Sequence, residues 1–217
     1  ASDVFKRQIL DYLESSEKLV PDQIAFADEK VSCTYRELKQ TAKAIGTYLA
    51  DRVSPGSPVP VFMEKGVSAV CAFMGAVYAG CFYVMLDPKL PAERLRKILY
   101  TLDADVVITE ENYKKQYQAL AFGAKQIDIG EAAQSVVNEE KLARIRQRSQ
   151  DIDPLYTMFT SGSTGVPKGV VVSHRSVIDF IEEFTELFGI EPKDVIGNQA
   201  PFDFDVSVKD IYSTLKT

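Results

Sequence analysis

The residues best suited to chemistry lie together at Thr160–Gly169, TSGSTGVPKG. Gly162, Gly165 and Gly169 allow the main chain to approach a ligand closely and to reach positive φ. Successive amides freed in this way form an anion nest. Thr160, Ser161, Ser163 and Thr164 add neutral donors, and Lys168 adds a positive charge. Such a tip suits a phosphate group.

The flanks decide what kind of tip it is. Leu155-Tyr156-Thr157-Met158-Phe159 precedes it and Val170-Val171-Val172 follows, and both are expected to be buried strands. A flexible Gly/Ser linker is the bland alternative. The tract is short, however, and strands begin at once on both sides. A nucleotide loop of the GxxxxGK[ST] kind fits badly, because Pro167 precedes Lys168 and Gly169 follows it. That motif also opens a helix, whereas this one enters a β-branched run. The expectation is a strand–loop–strand phosphate grip.

Composition narrows the function classes. Hydrophobic content of 46% and charged content of 26% suit a soluble globular chain of 217 residues. The net charge of −6 argues against nucleic acid as a partner. The most basic stretch, Lys141–Arg148, directly follows Glu139-Glu140 and reads as a solvated helix face. Cys33, Cys71 and Cys81 show no CxxC or Cys/His spacing, and His174 is the sole histidine, so neither a metal site nor a Ser-His-Asp machine is expected. Buried reduced thiols and a cytoplasmic location are expected instead. Residues 67–86 carry no charge and are long enough to span a membrane. Gly80 and Asp87-Pro88 divide them into a buried helix, 67–79, and a buried strand, 81–86, so no membrane role is expected.

Periodicity places the other elements. Residues 3–16 predict a helix through Val4, Phe5, Ile9, Leu10 and Leu13, and 23–27 with 31–33 predict a hairpin. Thr34 and Glu37 form a capping box that opens a helix to Ala50, with Leu38, Ala42, Ile45 and Leu49 inward. Strands are expected at Val59–Met63, Asp105–Thr109, 126–129 and Val195–Gln199. Helices are expected from Pro91, with Leu95, Ile98, Leu99 and Leu102 buried, over 111–121, and over the charged stretch 131–150. Residues 174–188 predict an amphipathic helix with Val177, Ile178, Ile181, Phe184, Leu187 and Phe188 on its apolar face, ending at Gly189. Ser207 is placed to cap a last helix. Strands alternating with helices predict an α/β fold with a mostly parallel sheet. The chain reaches Thr217 inside a helical pattern, which points to a longer parent polypeptide.

Four stretches in order carry a resemblance. They are CTYREL (33–38), YAGCFYVMLDPKLPAERL (78–95), TSGSTGVPKG (160–169) and FDFDVSVKD (202–210). Together they resemble the opening motifs of adenylate-forming enzymes, above all amino-acid adenylation domains of nonribosomal peptide synthetases. D-alanine–carrier protein ligases are near relatives. The resemblance implies an acetyl-CoA synthetase-like N-terminal region, a mostly parallel sheet flanked by helices. It runs from about Ile24 to the end, and it implies that 1–217 is the N-terminal part of an adenylation (AMP-binding) domain. The adenine-binding, ribose-binding and C-terminal lid regions would lie beyond, and the 217 residues alone are expected to be inactive.

The implied reaction has two halves. A carboxylate attacks the α-phosphorus of Mg²⁺-bound ATP, and a phosphopantetheine thiol on a peptidyl or acyl carrier protein then takes the acyl group. By resemblance, Thr160, Ser161, Gly162, Ser163, Thr164, Gly165 and Lys168 hold the ATP phosphates. Asp205 matches the partner of the substrate's α-ammonium; the alternative is a helix cap. Phe204 would line the pocket, although Phe202 and Phe204 also suit a core. Val206 and Lys209 match positions that face the substrate side chain. A lysine there invites an acidic or acceptor-rich side chain, against the alternative of an ammonium stretched out to solvent. His174 is expected to cap or pack, and no catalytic residue is assigned. The competing hypothesis is a non-catalytic α/β module that binds phosphate or a partner protein through the same loop.

Overall fold

The structure, a computed structural model, describes residues 8–160 and 166–217. The first described element is α1 (Leu10–Leu19), and the start of the predicted first helix, including Val4 and Phe5, lies outside the described residues. The hairpin β1 (Ile24–Ala27) and β2 (Ser32–Thr34) follows, then α2 (Tyr35–Ala50). The capping box forms as expected. Thr34 Oγ1 accepts from the Glu37 amide at 3.2 Å, and the Glu37 carboxylate accepts from the Thr34 amide at 2.8 Å.

Next come β3 (Pro58–Phe62), α3 (Val67–Tyr78), β4 (Phe82–Leu86), α4 (Ala92–Leu102) and β5 (Val106–Thr109). The predicted helix 111–121 is a 3₁₀ turn, Glu111–Tyr113, running into the short α5 (Lys114–Gln118), and β6 (Lys125–Asp128) follows. The stretch 131–150 is not one helix. It divides into α6 (Ile129–Ala133) and α7 (Glu139–Arg148), because Asn138 starts a new helix. The Asn138 side chain accepts from the Lys141 amide at 3.0 Å, and its own amide donates to Thr47 Oγ1 at 3.1 Å. The last elements are β7 (Pro154–Thr160), β8 (Lys168–Ser173), α8 (His174–Phe188) and α9 (Val206–Lys216). Residues 195–199 form no strand.

Among the described residues, six strands form one sheet in the order β6-β5-β3-β4-β7-β8. All pairs are parallel except β7–β8. Successive side chains along a strand point to opposite faces, and the two faces bury different clusters. Tyr83 and Met85 join α1, α2, α3, α8 and α9 on one face, while Val84 and Leu86 join Leu95, Ile98 and Leu99 of α4 on the other. The uncharged run therefore becomes the buried α3 and β4, separated at Gly80, whose φ of +73° favours glycine. No helix among the described residues is long and apolar enough to cross a membrane.

Two features of α3 come from outside it. Its N-cap, Gly66, has no side chain, and the Asp28 carboxylate from the β1–β2 turn accepts the Val67 amide at 2.9 Å instead. Burial pushes the Asp28 carboxyl up, but amides of Val67, Lys30 and Val31 outweigh it and hold it below the usual range. Against α2, α3 packs through paired glycines. A Cβ on Gly75 would stand 2.4 Å from Ile45 Cγ2, and one on Gly46 would stand 2.6 Å from Tyr78 Cβ.

Candidate active site on the β7–β8 hairpin and α9

Both expected strands are present, and β7 and β8 pair antiparallel. Thr160 pairs with Lys168 across the mouth of the hairpin, and Thr160 Oγ1 reaches the Lys168 carbonyl at 3.5 Å. Both residues are exposed. Ser161, Gly162, Ser163, Thr164 and Gly165 lie outside the described residues. Gly169 serves close packing, since a Cβ there would stand 2.9 Å from Thr157 Cγ2. One expectation fails: Val170 and Val171 are exposed, because β8 is the edge strand of the sheet among the described residues.

The stretch 202–210 approaches the same hairpin. Phe202 is buried against Phe73, with ring centroids 5.8 Å apart, whereas Phe204 is exposed. Asp205 occupies the N-cap position of α9 without making a side-chain capping bond. Ser207 does not cap either; its hydroxyl donates back to the Phe204 carbonyl at 2.7 Å. The exposed Asp205 carboxylate is thus not consumed by the helix end.

Asp205, Val206 and Lys209 border a cavity of about 410 Å³ with Tyr156 of β7, Val172 of β8 and Phe180 of α8. Phe204 is not among the residues around this cavity. Burial and the nearby Asp205 carboxylate push the Tyr156 phenol up to about 12, so it remains a neutral donor at physiological pH. Lys209 Nζ donates to Asp210 Oδ1 at 2.5 Å, and Asn198 Nδ2 donates to Asp210 Oδ2 at 2.9 Å. Asp210 is buried, and these two donors satisfy its carboxyl oxygens. Tyr156 and Phe180 went unrecognised as cavity residues in the sequence. Phe180 alone left a signal, as the first ring of an i, i+4 series with Phe184 and Phe188.

His174 stands apart. It begins α8, is buried, and accepts a hydrogen bond from the Ile9 amide at Nδ1 (3.2 Å). Burial first, then the Arg146 guanidinium, push it down to about 4. It packs α1 against α8 in the neutral form. Leu187 and Phe188, expected inward, are exposed at the far end of α8. Cys33, Cys71 and Cys81 are buried free thiols.

The AMP-binding enzyme family matches residues 13–217. The chain belongs to that family. Among its relatives, surfactin synthase subunit 1 of Bacillus subtilis (strain 168) is 32% identical over 210 residues, covering 95% of this chain and 6% of that protein. The D-alanine--D-alanyl carrier protein ligase of Bacillus cytotoxicus is 28% identical, covering 97% of this chain and 41% of the ligase. In three dimensions, the nonribosomal peptide synthetase FmoA3 in its alpha-methyl-L-serine-AMP bound form superposes with a TM-score of 0.86 at 27% identity, over 100% of this chain and 24% of FmoA3. The α/β fold with its mostly parallel sheet is therefore that of adenylate-forming enzymes. The chain spans less than half the length of each of these relatives.

Proposed function

We propose that this chain forms the triphosphate-holding and amino-acid-holding part of an enzyme that activates an amino acid as its adenylate. One observation carries the reading. A single strand, β7, runs from the cavity at Tyr156 to the hairpin mouth at Thr160, four residues or about 13 Å away. That spacing suits a nucleotide tail at one end and a small carboxylate at the other.

Thr160 and Lys168, with Ser161, Gly162, Ser163, Thr164 and Gly165, would hold the phosphates of Mg·ATP. Asp205 would pair with the α-ammonium of the substrate, a charge-assisted contact. A substrate carboxylate oxygen would then attack the α-phosphorus. The new P–O bond forms as the bond to the β-phosphate bridge breaks and pyrophosphate leaves, with Lys168 opposing the charge on the phosphate oxygens. A phosphopantetheine thiolate on a carrier protein would attack the acyl carbon, and AMP would depart. Val206 and Lys209 face the substrate side chain in this reading, and Lys209, through the donors that its bond to Asp210 leaves over, favours an acidic one. Adenine and ribose contacts would come from polypeptide outside these residues.

The test is amino-acid-dependent exchange of pyrophosphate into ATP by the protein carrying this chain in its full length. Exchange is expected, with Lys168→Ala raising the KM for ATP and Asp205→Asn raising that for the amino acid, each about tenfold or more. ATP binding without exchange for any amino acid would favour the non-catalytic phosphate-binding module instead.

A further inference from the structure

Lys65 stands just beyond the end of β3, in the turn that leads into α3. Its Nζ is directed at four oxygens of one short segment. These are Asn198 Oδ1 at 3.1 Å and the carbonyls of Asn198 at 3.3 Å, Gln199 at 3.2 Å and Ala200 at 3.3 Å. An ammonium has three N–H donors and no acceptor, so it suits a cluster of carbonyls. The neighbouring Glu64 is engaged elsewhere, by Lys89 at 2.9 Å.

The segment that receives Lys65 has no helix or strand of its own over 195–200. Three consecutive carbonyls of this irregular, solvent-facing segment turn toward one point, where the exposed Lys65 ammonium gathers them. The same segment is tied from Asn198 to Asp210 and is buried at Phe202. It then delivers Asp205 to the start of α9.

We propose that Lys65 is a positioning residue for the amino-acid cavity. It clips the exit of β3 to residues 198–200 and so fixes the path on which Asp205 and Lys209 reach the cavity wall. The inference rests on Asp205 serving as the amino-acid contact. The clip itself does not, and its effect on the segment can be read without any activity.

The experiment uses Lys65→Met and Lys65→Arg in the full-length protein, with two readouts. Exchange of the hydrogen-bonded amides of Phe204, Ser207 and Val208 is expected to speed up about tenfold in Lys65→Met, while α2 is unchanged. The KM for the amino acid is expected to rise about tenfold, with kcat within about threefold and the KM for ATP unchanged. Lys65→Arg, which keeps the charge and the donors, should restore both. Unchanged amide exchange in Lys65→Met overturns the clip. A loosened segment with an unchanged amino-acid KM makes Lys65 a structural tether and also overturns the proposal, as does a general loss of protection that includes α2. If the parent protein exchanges no pyrophosphate, the reading of Asp205 fails by itself. Amide exchange then still decides the clip.

Discussion

Tyr83 and Tyr212 share a buried hydrogen bond of 2.7 Å between their hydroxyls, joining β4 at the sheet centre to α9. Neither ring reaches solvent to a useful degree, and Phe73 stacks on Tyr83 with centroids 4.0 Å apart. The helix that carries Lys209 is therefore fastened to the core through a polar contact with no water to replace it.

Removing either hydroxyl leaves the other buried without its partner. Tyr83→Phe and Tyr212→Phe should each lower stability by about 1–3 kcal/mol. The double variant should lose less than the sum, because both orphaned groups are gone. Urea unfolding of the four proteins measures this, and additive losses would count against the bond.

Gly75→Ala should destabilise by about 1–3 kcal/mol through overpacking of α3 against Ile45 of α2. Gly123→Ala is the control. An added Cβ meets nothing within 4 Å there, and no positive φ is required. Its unfolding midpoint should stay level or rise slightly. Equal effects at the two sites would contradict the packing described for α2 and α3.

His174 gives stability a pH dependence of defined sign. Its folded pKa lies near 4, against 6.5 ordinarily, so the unfolded chain takes up a proton first as pH falls. The full contribution is present above pH 6.5 and is lost progressively toward pH 4. The loss by pH 5 should be about 2 kcal/mol. Urea midpoints between pH 7 and 5 should flatten in a His174→Gln variant. A slope identical to the parent's would exclude His174 as its source.

Lys209 sets an expectation about substrate choice. In exchange assays the parent should prefer glutamate or aspartate over the matching amide by about tenfold or more. Lys209→Glu should reverse that order. Preference for bulky apolar side chains, unaffected by Lys209→Ala, would remove Lys209 from the specificity surface.

Local chemistry made much of the molecule legible from sequence. Thr34 and Glu37 cap α2 across three residues, Gly80 separates α3 from β4, and Thr160 and Lys168 close a hairpin. Each rests on neighbours in the chain, so type and spacing suffice. Helix periodicity likewise identified Val177, Ile178 and Ile181 as inward. It failed for Leu187 and Phe188, because periodicity marks an apolar face without saying how far a partner surface extends along it.

Position in the sheet also escaped the sequence. Val170 and Val171 have the composition of a central strand and occupy an edge, since β-propensity does not encode strand order. The break at Asn138 is fixed by Thr47 of α2, 91 positions away.

The sequence by itself determined the alternation of strands and helices, the hairpin with its hydroxyl and lysine donors, and the presence of Asp205 and Lys209 at one turn's spacing. Only tertiary structure decided that Tyr156 and Phe180 share their cavity, and that Lys65 grips carbonyls more than 130 residues downstream. The physical reason is reach. Caps and periodicities act within a turn or a ladder, whereas a cavity wall and an ammonium's acceptors are chosen by which distant surfaces the packed sheet brings within hydrogen-bonding distance.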